Sequence, residues 1–114
     1  MPSARFTNDE LILVLISLVR ATHPRMLRPD GDGFSVDFEV LTRKKKLTAD
    51  DRLLLRMRAA METPGGPDAL VLELEEEEGP RLAATLAQLE TLQKWPDDVL
   101  AMSRSLRARL AALV

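Results

Sequence analysis

The nine-residue apolar run LILVLISLV, Leu11–Val19, must be buried wherever the chain places it, and it constrains this 114-residue sequence more than any other stretch. Thr7 followed by Glu10 has the spacing of a capping box, and Phe6 with Leu11 occupies the two positions of a hydrophobic staple, so a helix is predicted to start at Asn8. On a 100° wheel Asp9, Glu10, Ser17 and Arg20 fall in one narrow seam. Leu11, Ile12, Val14, Leu15, Ile16, Leu18 and Val19 cover most of the rest, the pattern of a central helix buried on more than one side; a strand is the alternative for a short β-branched run. Nine residues fall well short of the roughly 20 a membrane-spanning helix needs. Acidic Asp9 and Glu10 stand where a signal peptide would be basic, and no small-residue cleavage site follows. The expectation is a cytoplasmic protein with no membrane association.

His23-Pro24 ends the first helix. Arg25 to Arg28 reads as a first hairpin strand, and the Pro-Asp-Gly-Asp-Gly that follows is rich in residues tolerating positive φ. Phe34, Val36, Phe38 and Val40 then alternate with Ser35, Asp37 and Glu39, predicting a half-buried strand over 34–40. Thr48 with Asp51 is a second capping pattern, opening a helix to about Glu62 with Leu53, Leu54, Met57, Ala60 and Met61 as its core stripe. Thr63 to Pro67 stops it. Leu70, Leu72 and Leu74 alternate with Val71, Glu73 and Glu75 in a second strand. Gly79-Pro80 suits a helix entry, and Leu82, Leu86, Leu89 and Leu92 stripe that helix beside small Ala83 and Ala87. Trp95-Pro96 interrupts. The last helix carries Asp97 and Asp98 first, Arg107 and Arg109 late, and a stripe of Val99, Met102, Leu106, Leu110 and Leu113.

The expected class is α+β: a single domain in which a small two- or three-stranded sheet is covered by four helices, in the order α-(β)-β-α-β-α-α. The strands 34–40 and 70–75 are expected to share one sheet, either parallel through a right-handed crossover or antiparallel. The leucine-striped closing helices pair with each other or with a second copy.

Residues 28–39 invite comparison with a 12-residue calcium loop, since Asp30, Asp32, Gly33 and Glu39 match positions 3, 5, 6 and 12. Position 1 would be Arg28, a cation where the strongest ligand belongs, so a hairpin turn is the reading. The carboxylates Asp37, Glu39, Glu73 and Glu75 would line the outer face of the shared sheet, where like charges repel unless screened by solvent, a metal or a basic partner surface. The run Glu75 to Glu78 is expected to fray into water.

The formal charge of -2 hides segregation: 43–58 holds seven basic and two acidic residues, whereas 68–78 holds six acidic and no basic ones. The basic tract Arg43, Lys44, Lys45, Lys46, continued by Arg52, Arg56 and Arg58, has the clustered cations that phosphate binding requires. No aromatic residue lies between Leu41 and Met61 on which a base could stack. The wheel places Leu55 and Ala59 among these arginines, which suits a protein-binding patch better.

With no cysteine and no tyrosine in the chain, thiol, thiolate-metal and phenol chemistry are unavailable. The one histidine, His23, reads as a cap or surface residue, and no nucleophile elbow, phosphate loop or dinucleotide fingerprint occurs. Trp95 is expected in the crease between the last two helices. The sequence therefore predicts a non-enzymatic adaptor or regulatory module, homodimeric, without cofactor, catalytic residues or metal. Its partner-binding residues would be Arg43, Lys44, Lys45, Lys46, Arg52, Leu55, Arg56, Asp37, Glu39, Glu73 and Glu75. The alternatives are a nucleic-acid-binding regulator using the basic tract 43–58, and a chaperone-like carrier of a basic client docking on the acidic strand face.

Overall fold

The computed structural model describes residues 3–31, 33–62, 70–92 and 94–112. Its elements run β1 (Ser3–Phe6), α1 (Asn8–Thr22), a 3-10 turn at Pro24–Met26, β2 (Leu27–Asp30), β3 (Gly33–Val36), a short α2 (Glu39–Thr42), α3 (Ala49–Glu62), β4 (Leu70–Glu73), α4 (Glu78–Leu92) and α5 (Asp97–Ala111). The class is α+β, and the expected order is present with β1 and α2 added to it.

Helix α1 begins where the capping box placed it. Glu10 N–H donates to Thr7 Oγ1 at 3.1 Å, and Thr7 N–H donates to Glu10 Oε1 at 2.8 Å. Leu11, Val14, Leu18 and Val19 are fully buried, because α3, α4 and α5 all pack on this helix. Ser17 departs from the predicted polar seam: it is buried against Thr85 of α4, the two hydroxyl oxygens 3.0 Å apart. Each hydroxyl also points at a carbonyl of its own helix, Ser17 at Val14 O (2.7 Å) and Thr85 at Leu82 O (2.8 Å). A hydroxyl has one proton, so two protons serve these three contacts. Small side chains here let the two helices approach closely.

The strands do not form the expected shared sheet. β2 and β3 make one antiparallel hairpin, Leu27 opposite Val36, turning through Gly31 at φ +61°. β4 pairs antiparallel with the amino-terminal β1, Phe6 opposite Leu70 and Ser3 opposite Glu73. The hairpin reading of 29–33 holds along the backbone; Asp32 and the side chains of Asp30 and Phe34 lie outside what is described. So do Thr63 to Pro67, where a helix stop was expected, and Leu113 of the last stripe.

The strand predicted to reach Val40 stops at Val36. Asp37 accepts a hydrogen bond from Glu39 N–H at 3.1 Å, an Asx turn that diverts the backbone into α2. Phe38 and Val40 are still half-buried, which is why their spacing imitated a strand. β4 stops at Glu73, short of the expected Glu75; within it Leu70 and Leu72 are inward and Val71 and Glu73 exposed, and the same alternation continues past its end with Leu74 buried and Glu75 exposed.

Helix α4 starts one residue before Gly79. Glu78 does not fray: it is buried, its Oε1 accepting from Glu75 N–H at 2.7 Å and its Oε2 bonded to Arg56. Only Glu75, Glu76 and Glu77 of that run are exposed. Among the described residues α4 and α5 pack on each other as the most extensive helix pair, with Trp95 in their crease donating from Nε1 to Leu89 O at 2.9 Å. Leu92, assigned to the α4 stripe, is 55% exposed. Among the described residues no helix is long and apolar enough to cross a membrane.

Candidate functional site

Helix α1 is ringed by neighbours yet keeps one side open. There its Ile12, Leu15 and Ile16 meet Val36 at the end of β3, Phe38 of the Asx turn, and Met61 in the last turn of α3 around a groove of about 450 Å³. Arg58 and Glu62 of α3 complete its rim. All these apolar residues except Leu15 are only partly buried, so partly exposed hydrocarbon from four segments converges on one place. Its size lies within the range of ligand-binding clefts.

Two devices hold the rim. The Asx turn fixes Phe38, and the Arg58 guanidinium lies 5.3 Å from the centre of its ring, in cation-π range. Arg58 Nε also donates to Glu62 Oε1 at 3.1 Å, an exposed pair one helical turn apart. Pairs of this kind contribute only a few tenths of a kcal/mol in water, so a charged group on an incoming partner can replace either member. Its lining is apolar apart from Arg58 and Glu62.

A second cluster lies at the junction of α1 and α3. Asp51, with its side chain wholly removed from solvent, takes His23 Nε2 on Oδ1 at 2.5 Å, and on Oδ2 takes Lys44 Nζ and the Thr48 amide, the latter at 2.9 Å. Thr48 Oγ1 accepts from Asp51 N–H at 3.2 Å, closing the capping box expected from sequence. Burial pushes the Asp51 carboxyl up, but the bonds from Lys44, the Thr48 amide, His23 and the Thr48 hydroxyl outweigh it and hold it well below the usual carboxylate range. His23 also ends α1, its N–H donating to Val19 O at 2.7 Å. With both carboxylate oxygens occupied, the cluster is a clamp between helices.

The residues expected to bind a partner do not gather in one site. Arg43 pairs with Glu39 at 3.3 Å within one turn, and Lys44 is drawn into the Asp51 clamp. Arg52 Nη1 donates to Leu47 O at 3.1 Å. Arg56 donates to Glu73 O at 2.8 Å and bonds Glu78, joining α3 to the end of β4 and the start of α4. Lys45 and Lys46 are exposed.

Leu55, expected on the outer side among the arginines, is partly buried and packs against the core. The proposed acidic face is likewise dispersed. Asp37 caps the Asx turn and pairs with Arg28 at 3.3 Å, Glu39 is in α2, Glu73 belongs to the other ladder, and Glu75 lies past the end of β4. The groove residues escaped notice because an apolar side chain lining a cleft and one filling a core have the same helical spacing. The one available signal was the breadth of the apolar band on α1, wider than a single neighbour covers.

Compared with protein-family models, curated proteins and solved structures, the chain matches none.

Proposed function

We propose that this chain is a small non-enzymatic protein-interaction module, an adaptor or regulator, that docks its partner in the groove between α1, the end of β3 and α3. The observation that carries this reading is the convergence of Ile12, Ile16, Val36, Phe38 and Met61, all left partly exposed, on a cleft whose charged rim is a weak and exchangeable Arg58–Glu62 pair. Apolar surface kept in water at one concave place costs stability and is a mark of an interaction site. The partner is a protein segment presenting an apolar ridge flanked by charges, the mode in which one helix lies in the groove of another. A homodimeric, cytoplasmic module belongs to this proposal.

The test is selection of helical peptides from a display library on the folded protein, followed by titration against Met61→Glu and, as a control away from the groove, Ala101→Glu. Loss of binding in the first alone, with circular dichroism unchanged, supports the reading. Peptides that bind both variants equally would sink it.

A nucleic-acid-binding regulator is the second reading, because Lys45 and Lys46 after α2 and Arg52 in the first turns of α3 are all exposed.

A further inference from the structure

We infer that the groove is filled by helix α1 of a second copy of this chain, packed antiparallel across a two-fold axis; this rests on the groove being a docking surface and names its occupant. At 100° per residue Asp9, Ile16 and Arg20 lie within about 40° of one line along α1, with half-buried Ile12 beside it on one side and the line closed on the other by buried Leu13. That line is the helix's open side: Asp9 and Arg20 are exposed and Ile12 and Ile16 half-buried, whereas Leu11, Val14 and Leu18 face the core.

The line is a ridge between two depressions. Ile12 and Ile16 form a wall of the groove described above, and Arg20 forms a wall of a second one of about 370 Å³, which Ser17 and exposed Leu92 also line. A ridge with a groove beside it is what ridges-into-grooves packing requires of both partners, since each copy's ridge can seat in the other's groove.

The charges select a second copy of this chain over an unrelated helix. Asp9 and Arg20 carry opposite charges at the two ends of the ridge, about 16 Å apart along the axis, and among the described residues neither is in an ion pair. A two-fold axis midway between them sets Asp9 opposite Arg20 of the other copy at both ends. Isologous interfaces need this self-complementarity, in which residue i meets j and j meets i. Both charges already favour their own helix dipole, acid in the first turn and base in the last. Antiparallel stacking adds to that arrangement instead of opposing it.

Sedimentation equilibrium of the full chain from about 1 to 200 μM at low salt, where exposed pairs are least screened, provides the test. The wild type is expected to be a dimer in the micromolar range. Asp9→Arg alone and Arg20→Asp alone each set like charges together at both ends and should weaken association at least tenfold. The double variant Asp9→Arg/Arg20→Asp should recover most of the loss, because the swap rebuilds both pairs in the opposite sense. Ile16→Asp should give a monomer.

Since the chain has no cysteine, Ile16→Cys supplies an independent readout: it lies close to the axis and should form an intermolecular disulfide under mild oxidation, while exposed Ala101→Cys should not. A wild-type monomer at all concentrations, or a double swap no better than the single ones, overturns the dimer. The docking reading survives either result if selected peptides still lose affinity on Met61→Glu, and it fails separately if they do not.

Discussion

The Asp51 clamp permits the most searching test of how this fold is held together. Asp51→Asn keeps the shape of the side chain and removes its charge, leaving Lys44 and His23 facing an amide. At full burial each charged hydrogen bond would contribute about 1.5–3 kcal/mol. Lys44 and His23 keep 30% and 24% of their side chains in water, so about 1 kcal/mol each is the better figure once solvent screening is allowed for. Asparagine keeps an oxygen that accepts from the Thr48 amide, so the cap is retained. A loss near 2 kcal/mol is therefore expected, against a total of the order of 5–15 kcal/mol for a domain of this size. With an m-value of about 1.5 kcal/mol/M the urea midpoint should fall by about 1.3 M.

The pH dependence carries an independent sign. The folded carboxyl titrates below its unfolded counterpart, so its contribution is fully present above about pH 5 and drains away as pH falls through the unfolded value and toward the folded one. Between the two pKa values the unfolded chain binds one more proton, giving a slope of about 1.4 kcal/mol per pH unit. Urea titrations of wild type and Asp51→Asn from pH 3 to 7 should converge toward the acid end. A constant gap across that range, or a gap under about 1 kcal/mol at pH 7, would refute the clamp.

Three further outcomes can be checked the same way. Arg56→Met leaves the buried Glu78 carboxylate without its cation and should cost about 2–3 kcal/mol; Arg56→Met/Glu78→Gln should recover part of it, and additive losses would show the two residues to be uncoupled. Arg109 on α5 donates to Glu10 Oε2 at 2.7 Å, bonds Arg5 O and lies 5.7 Å from the Phe6 ring centre, so Arg109→Ala should lower hydrogen-exchange protection of the β1 amides with only about 1 kcal/mol lost globally. Gly31 sits at φ +61° with open space around its Cα, so Gly31→Ala should cost about 1 kcal/mol from backbone strain alone, and Gly31→Asn less.

What could be read from the sequence was local. Thr7 with Glu10 and Thr48 with Asp51 announced their helices because a capping box is complete within four residues. Leucine stripes on α4 and α5 showed which faces meet, since helical spacing is fixed by the backbone. Strand pairing was out of reach: β4 joins Ser3–Phe6, four residues with no alternation, across more than sixty positions of sequence. Nothing in SARF distinguishes a strand from a frayed end until Leu70–Glu73 is laid beside it. The error at Phe38 to Val40 had a different cause, because one Asp side chain redirected the backbone while both apolar residues kept half-buried positions. Charged residues were the least legible. Arg56 and Lys44 looked like surface cations in the sequence, and only the fold brings Glu78 and Asp51 beneath them.

That last point bears directly on the nucleic-acid alternative, because it limits how many cations the basic tract can offer. Six residues, Arg43, Lys44, Lys45, Lys46, Arg52 and Arg56, would give a slope of log K against log[salt] near -5.4 if all met phosphates of duplex DNA. Lys44 and Arg56 are not free to do so. Each neutralises a carboxylate that is nearly or wholly out of water, Asp51 and Glu78, and withdrawing either forfeits that tie, about 1 kcal/mol for Lys44 and about 2–3 kcal/mol for Arg56. Arg43 and Arg52 can be released cheaply, because an exposed i,i+4 pair and one carbonyl bond are readily exchanged for water or phosphate. Four cations remain, and the steepest slope compatible with an intact fold is about -3.6. Neutralising Lys45 and Lys46 together should remove about half of it. Fluorescence anisotropy with a short duplex between 25 and 200 mM salt measures both quantities. A slope close to -5.4 would mean that the Lys44 and Arg56 ties open on binding, and the rigid clamps argued above would then be wrong.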